Sequence, residues 1–118
     1  MRDFRKYDVW NLAIDFSTSI YTLTENFPVN ESYGLTVQLR RASVSIASNI
    51  AEGASRSSEL DFCRFLEIAL GSAFEVETQL IISAKLEYIT PEIVDMLLEN
   101  IHTIQKKLNN LIQTIKLH

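Results

Sequence analysis

The sequence has little of what characterises cross-linked or loop-rich folds, with one cysteine, two prolines and three glycines in 118 residues. The single cysteine, Cys63, excludes an internal disulfide, and beside Phe62 it is predicted to be a small core residue. Hydrophobic residues make up 47% and charged residues 22%, a composition typical of a compact folded domain and not of a disordered chain. We predict one domain over residues 1–118.

Membrane-spanning and export segments are also missing from the pattern. The first ten residues, MRDFRKYDVW, are charged, and no apolar run with a cleavage site follows them. No uninterrupted apolar run approaches the roughly 20 residues that a membrane span needs. We therefore expect a cytoplasmic protein with no membrane contact.

Histidine and cysteine, which often carry catalysis or bind metal, are few, with two histidines and one cysteine. The two histidines, His102 and His118, lie too far apart on one predicted helix to share a metal ion. Glu75 and Glu77 are separated by one residue, so on a helix they point to different faces and form no acid–base pair. The sequence contains no glycine-rich phosphate loop and no serine-nucleophile motif. We predict no enzymatic activity, no catalytic residue, no cofactor and no metal.

Apolar residues recur at spacings of three and four along nearly the whole chain, which predicts helices throughout. The four predicted helices span residues 8–26, 31–54, 58–86 and 91 onward. Pro28 follows the first helix as a stop signal.

Two helix starts have clear capping residues. Ser58 and Asp61 have the spacing of a capping box at the start of the third helix. Thr90 is a good N-cap for the fourth, and Pro91 suits its first position. Because the connections are only a few residues long, consecutive helices must alternate in direction. The predicted fold is therefore all-α, an up-and-down antiparallel four-helix bundle.

Two glycines within the helical pattern are expected to have different roles. Gly53, near the end of the second helix, is predicted to adopt the left-handed conformation that closes many helices. Gly71 lies in the middle of the third helix, where glycine costs about 1 kcal/mol relative to alanine. We interpret Gly71 as a site where a neighbouring helix comes close.

The second and third helices carry more apolar residues than one core-facing stripe requires. The surplus positions are Val37, Val44, Ala47, Ala51, Phe65, Ile68, Leu70, Phe74, Ile81 and Ile82. Apolar surface that one chain cannot cover usually marks a contact with another chain, so the surplus predicts a homo-oligomer. Gly71 and Phe74 are predicted to pack at its interface.

A polar stripe runs beside the apolar seam of the second helix, and its members are Gln38, Arg41, Ser45, Ser48 and Glu52. Asn49 lies within the seam itself, where a polar group is costly unless it is hydrogen-bonded. One interpretation is a structural polar network that fixes helix register, made of Arg41, Ser45, Asn49, Glu52 and Glu75. The alternative is that the members on the second helix line a pocket or contact a ligand.

A hairpin of the second and third helices predicts two specific contacts. Two arginines lie opposite two acids, and at least one ion pair is predicted among them, from Arg40 or Arg41 to Glu75 or Glu77. Asn49 is predicted to make a polar contact near the level of Phe65.

The net charge is −4, from 11 basic and 15 acidic side chains, which argues against a general polyanion binder. A local basic cluster can still form, because the chain start and the turn after the second helix share one end of the bundle. The residues predicted to form this basic rim are Arg2, Arg5, Lys6, Arg56 and Arg64. Repeated around a ring, they predict weak, salt-sensitive RNA or DNA binding. Acidic residues at the same end favour the alternative, ordinary solvated charges.

Two long stretches are distinctive, QLRRASVSIASNIAEGASR at 38–56 and FCRFLEIALGSAFEVETQL at 62–80. With VWNLA upstream and an FP…YGL connection, they strongly resemble the small four-helix-bundle proteins first noticed as products of intervening sequences in bacterial large-subunit ribosomal RNA genes. The matching motifs lie at residues 41–42, 45–46, 49–53 and 69–72, and the resemblance covers nearly the whole chain.

This resemblance implies an up-and-down bundle that assembles into a ring, commonly a pentamer, with a function that is mostly uncharacterised. A related branch, the accessory protein of diversity-generating retroelements, looks like the same barrel working with a reverse transcriptase and nucleic acid. That branch is markedly basic, whereas this chain is acidic.

Two functions from different classes follow. The first is a non-enzymatic oligomeric adaptor that presents a surface to RNA or to a nucleic-acid-associated protein. The second is a self-assembling structural bundle that binds a protein partner and no nucleic acid. Salt-dependent binding to RNA distinguishes them, because phosphate contacts weaken steeply as salt rises.

Overall fold

Four long helices make up most of the computed structural model, which describes residues 2–117. They are α1 (Asp8–Thr24), α2 (Leu35–Ala54), α3 (Glu59–Lys85) and α4 (Pro91–Lys116). Short 3-10 helices at Phe4–Lys6 and Val29–Glu31 precede α1 and α2, and the described residues contain no strand. The all-α prediction is confirmed. His118, considered above as a metal ligand, lies outside the described residues.

Consecutive helices pack side by side, and α4 also contacts α1, which closes the bundle. At one end, the ring of Tyr88 after α3 lies 5.4 Å from the ring of Phe27 after α1, and its hydroxyl donates to Glu31 Oε2 at 2.9 Å. At the other end, Tyr7 packs edge-on against Phe62 with ring centroids 5.8 Å apart. Each end joins elements that are distant along the chain, as the up-and-down prediction requires.

The bundle interior is apolar and receives side chains from all four helices, because each helix turns one hydrophobic stripe inward. Its largest fully buried hydrophobic residues are Phe62, Ile20, Leu39, Ile46, Ile50, Leu66, Leu80, Ile101, Ile104, Leu108 and Val76. Cys63 is buried as well, as predicted, and burial raises the pKa of its thiol.

The capping residues fix two helix starts where the sequence predicts them. The backbone N–H of Asp61 donates to Ser58 Oγ at 3.1 Å at the start of α3. The N–H of Ile93 donates to Thr90 Oγ1 at 3.4 Å at the start of α4, with Pro91 in the first helical turn. Both predicted starts are confirmed.

The α1–α2 connection is longer than predicted, because α2 begins at Leu35 and not near residue 31. The carboxylate of Glu31 accepts the N–H of Leu35 at 3.1 Å, so Glu31 caps α2 from the preceding 3-10 turn. Because Glu31 accepts the first N–H of α2, it lies before the helix and not within it. At the other end of the connection, α1 stops at Thr24.

The prediction that Gly53 closes α2 in a left-handed conformation is wrong. Gly53 lies within α2 and is buried, and no glycine of the chain has a positive φ. A Cβ atom on Gly53 would lie 2.6 Å from Phe65 Cβ and 3.1 Å from Phe62 Cδ1. Gly53 is therefore required for the close approach of α2 and α3.

A left-handed residue closes α3 instead, at a position that was not predicted from the sequence. Glu87 has a φ of 64° directly after α3, and the N–H of Tyr88 donates to the carbonyl of Ser83 at 3.0 Å. The N–H of Glu87 donates to the carbonyl of Ala84 at 3.0 Å. This pair of hydrogen bonds is the Schellman arrangement, here with a glutamate where glycine is usual.

Candidate interaction surfaces

One side of the α2–α3 pair exposes large apolar side chains to solvent. Phe74 and Ile68 are each 53% exposed, and Ile82 is 43% exposed. We call this surface the outer face and define it as Val37, Arg41, Val44 and Ser48 of α2 with Ile68, Gly71, Phe74, Glu75 and Ile82 of α3, all of which are exposed. The exposure supports the predicted apolar surplus, although Ala47 of that set is buried.

The ion pair predicted across α2 and α3 is absent from residues 2–117. Arg40 points toward α1, where its Nε donates to Thr24 Oγ1 at 2.8 Å and its guanidinium stacks 4.6 Å from the ring centroid of Tyr21. Arg41 is exposed, and within residues 2–117 it forms no ion pair with a carboxylate. The prediction was wrong because adjacent helical residues are about 100° apart, which turns Arg40 away from α3.

The two acids also face in different directions. Glu77 faces α4, where its carboxylate accepts from Gln105 Nε2 at 2.8 Å and lies 3.0 Å from His102 Nε2. The hydrogen bond from Gln105, followed by that from His102, lowers the pKa of Glu77. Glu75 is exposed on the outer face. Among the residues described, its one side-chain hydrogen bond is from Gln79 Nε2, at 3.4 Å.

A small hydroxyl–amide network links α2 to α3 beside the outer face. Ser45 Oγ lies 2.9 Å from Ser72 Oγ. Asn49 Nδ2 donates to Ser45 Oγ at 2.9 Å and to the Ser45 carbonyl at 2.8 Å. The structure therefore brings together two residues of the predicted network, Ser45 and Asn49. It adds Ser72, which the polar stripe of one helix alone could not identify.

The other predicted network members lie elsewhere. Arg41 and Glu75 are on the outer face, and Glu52 pairs with Arg56 at 3.1 Å. Phe65 lies against Gly53 and not beside Asn49, so α3 is displaced by about one helical turn from the predicted register. The network contains hydroxyl and amide groups without a carboxylate or imidazole, so it suits helix registration better than acid–base chemistry.

Gln79 is the one buried polar group near this contact whose hydrogen bonding is incomplete. It is 6% exposed, and its Oε1 has no partner within residues 2–117. Its amide nitrogen is held by Glu75 of the preceding turn. No sequence pattern identifies this residue, because glutamine on a helix is usually solvent-exposed.

The structure places the chain start against the α2–α3 turn, as expected for the basic rim. Arg2 Nη1 donates to the carbonyl of Arg56 at 2.7 Å, and the Arg2 guanidinium pairs with Glu59. It also lies 4.6 Å from the ring centroid of Phe62. Through these contacts Arg2 holds the N-terminal segment against the α2–α3 turn.

The remaining arginines of the rim also have acidic neighbours. Three pairs form at this end: Arg5 with Asp3 at 4.0 Å, Arg56 with Glu52 at 3.1 Å, and Arg64 with Asp61 at 3.7 Å. In the described part of the chain, Lys6 is the rim residue without an ion pair. These pairs reduce the positive field that the rim presents to a phosphate.

Two other kinds of site, a metal cluster and a membrane-spanning helix, are absent from the described residues. Over residues 2–117, no three His, Cys, Asp or Glu side chains are grouped so that they could hold a metal ion. None of the helices within that range is sufficiently long and apolar to cross a membrane.

The family of the chain follows from a match over most of its length. The family model described as 23S rRNA-intervening sequence protein matches residues 5–110, which include all of α1, α2 and α3 and most of α4. The chain belongs to this family. No curated protein gave a significant match.

One solved structure is similar to this 23S rRNA-intervening sequence family member. It is described as a protein with unknown function from the S23 ribosomal protein family of Bacteroides thetaiotaomicron. The TM-score is 0.82 at 28% sequence identity, over 89% of this chain and 95% of that one. The resemblance predicted from sequence is confirmed, and so is the four-helix fold.

The motifs that carried the resemblance now have a structural location in this 23S rRNA-intervening sequence protein. Those of α2 and α3 lie mostly along the contact of the two helices, where Ser45, Asn49 and Ser72 form the hydroxyl–amide network and Gly53 permits close packing. Their most evident role is to set the distance and register of these two helices. The outer face lies directly beside this contact.

Proposed function

We propose that this chain is a non-enzymatic oligomeric adaptor whose copies associate through the outer face. The observation that carries the proposal is the exposure of Phe74, Ile68 and Ile82 on one side of α3. Contiguous apolar surface of this kind marks protein contacts in soluble proteins. The resemblance noted in the sequence favours a closed ring of five copies, in the cytoplasm.

The outer side of α4 provides an internal reference for this interpretation. Most of its exposed residues are charged or polar, among them Glu92, Asp95, Glu99, His102, Thr103, Lys106 and Gln113, with Ile93 and Met96 as the large apolar exceptions. Helices α3 and α4 differ in length by one residue and pack against each other. The polar character of α4 shows what a water-facing helix looks like in this chain, and the outer face of α3 does not have it.

The non-enzymatic part of the proposal is supported by the chemistry of the polar groups. The hydroxyl–amide network contains no titrating side chain, and the Glu77–His102 contact lies on a partly exposed surface between α3 and α4. The side chain of His102 is 55% exposed. A catalytic acid–base pair usually lies in a cleft that excludes water.

Light scattering coupled to gel filtration tests the assembly. The monomer mass is 13.5 kDa, and a five-membered ring would give about 65 to 70 kDa. We expect Phe74→Glu to release monomers, because it places a charge in the apolar interface. Met96→Glu on α4 is the matched control, since Met96 is 54% exposed and Phe74 is 53% exposed. A wild-type mass of 13.5 kDa at every concentration would contradict the proposal.

RNA contact at the basic rim is a second candidate activity. The approach of Arg2 to Arg56 favours it, because it joins the two basic segments at one end of the bundle. The ion pairs of that end oppose it, so the proposed binding is weak and depends on a ring that repeats the rim. A protein partner without nucleic acid is the competing function.

A titration of labelled RNA near 50 mM salt tests the rim. The variant to compare with wild type has alanine at Arg2, Arg5, Lys6, Arg56 and Arg64. We expect binding by wild type that falls as salt rises and is lost in this variant. Alanine at Lys85 and Lys106, which lie outside the rim, serves as the charge control. Equal binding by all three proteins, or none by wild type, would leave the competing function.

A further inference from the structure

Two unpaired charges of opposite sign lie at the centre of the outer face. Ser45 contacts Ser72, which sets the level of α2 against α3. Arg41 lies one turn before Ser45, and Glu75 lies three residues after Ser72. Because the helices are antiparallel and rise about 1.5 Å per residue, Arg41 and Glu75 lie at nearly the same level.

Neighbouring charged groups already have partners within the chain. Arg40 is hydrogen-bonded to Thr24 and Glu77 to Gln105, and Glu52 forms an ion pair with Arg56. Arg41 and Glu75 are exposed and form no ion pair in the described residues. They therefore remain available to a group outside the chain.

The apolar surroundings of the two charges make pairing important once the face is covered. Val44, Ile68 and Phe74 are exposed on the same face. A partner that packs on these side chains removes water from Arg41 and Glu75 as well. An ion that loses its water without gaining a partner is strongly unfavourable, so the covering surface must supply a charge of opposite sign to each.

A second copy of this chain satisfies that requirement. The α2 half of the face carries the positive group and the α3 half carries the negative one, so the α2 half of one copy is complementary in charge to the α3 half of the next, in the head-to-tail contact that a ring requires. A polyanion would match Arg41 alone and would repel Glu75. In contact between two copies, by contrast, an arginine of one meets a glutamate of the other.

Gly71 adds an independent observation on the same face. A Cβ atom at Gly71 would meet no atom of the described residues within 4 Å, so packing among them does not require glycine there. Glycine in a helix interior is nevertheless unfavourable relative to alanine. A partner helix that approaches closely beside Glu75 gives a reason for the missing side chain.

We propose that Arg41 of one copy forms an ion pair with Glu75 of a second copy across the outer face, with Gly71 at the closest approach of the helices. This inference rests on the proposed self-association and names the polar contact that selects the partner.

Charge reversal tests the pair, with association measured by sedimentation velocity over a dilution series. Arg41→Glu and Glu75→Arg each place like charges opposite one another, and we expect each to raise the dissociation constant about tenfold or more. An equimolar mixture of the two variants restores opposite charges at every mixed contact. We therefore expect association in the mixture to return toward that of wild type.

The mixture is the decisive arm, because a pair within one chain would not be restored by mixing. Lys106→Glu and Glu99→Arg on the outer side of α4 are the matched charge controls, and they should associate as wild type does. Circular dichroism checks that each variant is folded. If Arg41→Glu is not, Arg41→Gln and Glu75→Gln replace the reversals, and each should weaken association while Lys106→Gln does not.

The outcomes separate the two proposals. Wild-type association that is unchanged by either reversal, or reversals that weaken association without recovery on mixing, would overturn the Arg41–Glu75 pair and leave self-association standing. A wild-type chain that stays monomeric would overturn both.

Discussion

The inner and outer sides of the α2–α3 pair carry similar residues in opposite surroundings. On the inner side Phe62 is 1% exposed and Gly53 has no room for a methyl group. On the outer face Phe74 is 53% exposed and Gly71 has open space above it. The same amino acids therefore serve the fold on one side and remain available to a partner on the other.

This difference shows that an apolar stripe identifies a contact surface without naming its partner. The hydrophobic effect depends on the area removed from water and not on which chain removes it. The inner side is covered by the bundle itself. The same substitution, made at matched residues on the inner side and on the outer face, should therefore change the free energy of unfolding by unequal amounts.

The phenylalanines give the largest expected contrast. Phe62→Ala should lower the free energy of unfolding by about 3 to 5 kcal/mol, since it leaves a cavity against Tyr7 and removes the surface beneath Arg2. Phe74→Ala should change it by less than about 0.5 kcal/mol when the chain is monomeric. Urea denaturation at low protein concentration measures both. Equal losses would mean that Phe74 is part of the fold.

The glycines give the next contrast. Gly53→Ala should destabilise by about 1 to 3 kcal/mol, because its Cβ would be forced against the side chains of Phe62 and Phe65. Gly71→Ala should stabilise the isolated chain by up to about 1 kcal/mol, through its better helix propensity. Thermal unfolding of the two variants in parallel checks this. A stabilised Gly53→Ala would show that α2 and α3 can separate without loss.

Two serines of α2, Ser45 and Ser48, give a smaller contrast between the α2–α3 contact and the exposed side. Ser45→Ala removes hydrogen bonds to Ser72 and Asn49 and should destabilise by about 0.5 to 1.5 kcal/mol. Ser48→Ala, on the exposed side of the same helix, should be near neutral. If chemical denaturation gives the same midpoint for both variants, the network does not contribute to the α2–α3 contact.

Glu77 and Glu75, two of the four glutamates of α3, give the smallest contrast, which is measured as a function of pH. The pKa of Glu77 is lowered by Gln105 and His102 in the folded state. Its carboxylate therefore stabilises the fold above the ordinary glutamate pKa of about 4.3. This contribution is lost as pH falls from there through the lower pKa of the folded state.

Unfolding measured between neutral and acidic pH tests this sign. Wild type should lose more stability below about pH 4.3 than Glu77→Gln does. Glu75→Gln, which changes the same residue type on the outer face, is the matched control, because Glu75 has no hydrogen bond to α4 among the residues described. A Glu77→Gln curve parallel to that of wild type would show that the contacts with α4 are not maintained in solution.

Sequence reasoning was most successful where short-range interactions decide the structure. The N-cap hydroxyls of Ser58 and Thr90 act on backbone groups three residues away, so their positions could be predicted directly. It failed for Gly53 and Glu87. Glycine suits both a left-handed closure and a close helix contact, and only the position of α3 distinguishes these roles.

For the candidate surfaces, the sequence predicted which residues take part but only some of the contacts between them. The apolar surplus of α3 and the meeting of Ser45 with Asn49 could be inferred from helical spacing. The absence of a pair between Arg41 and Glu75 could not, because the two residues lie at nearly the same level and yet both are exposed, and the rotation of about 100° per residue decides which side chains meet. Ser72 was missed for the same reason, since its partner belongs to another helix.

The sequence by itself determined the four helices, their alternating direction and the excess of apolar residues on α2 and α3, because periodicity and capping act within single segments. Only the tertiary structure decided that Arg40 faces Thr24, that Glu77 faces Gln105 and that Arg2 clamps the turn at Arg56. These contacts join residues distant in the chain. Their formation depends on how the helices are rotated and displaced when the common core is packed.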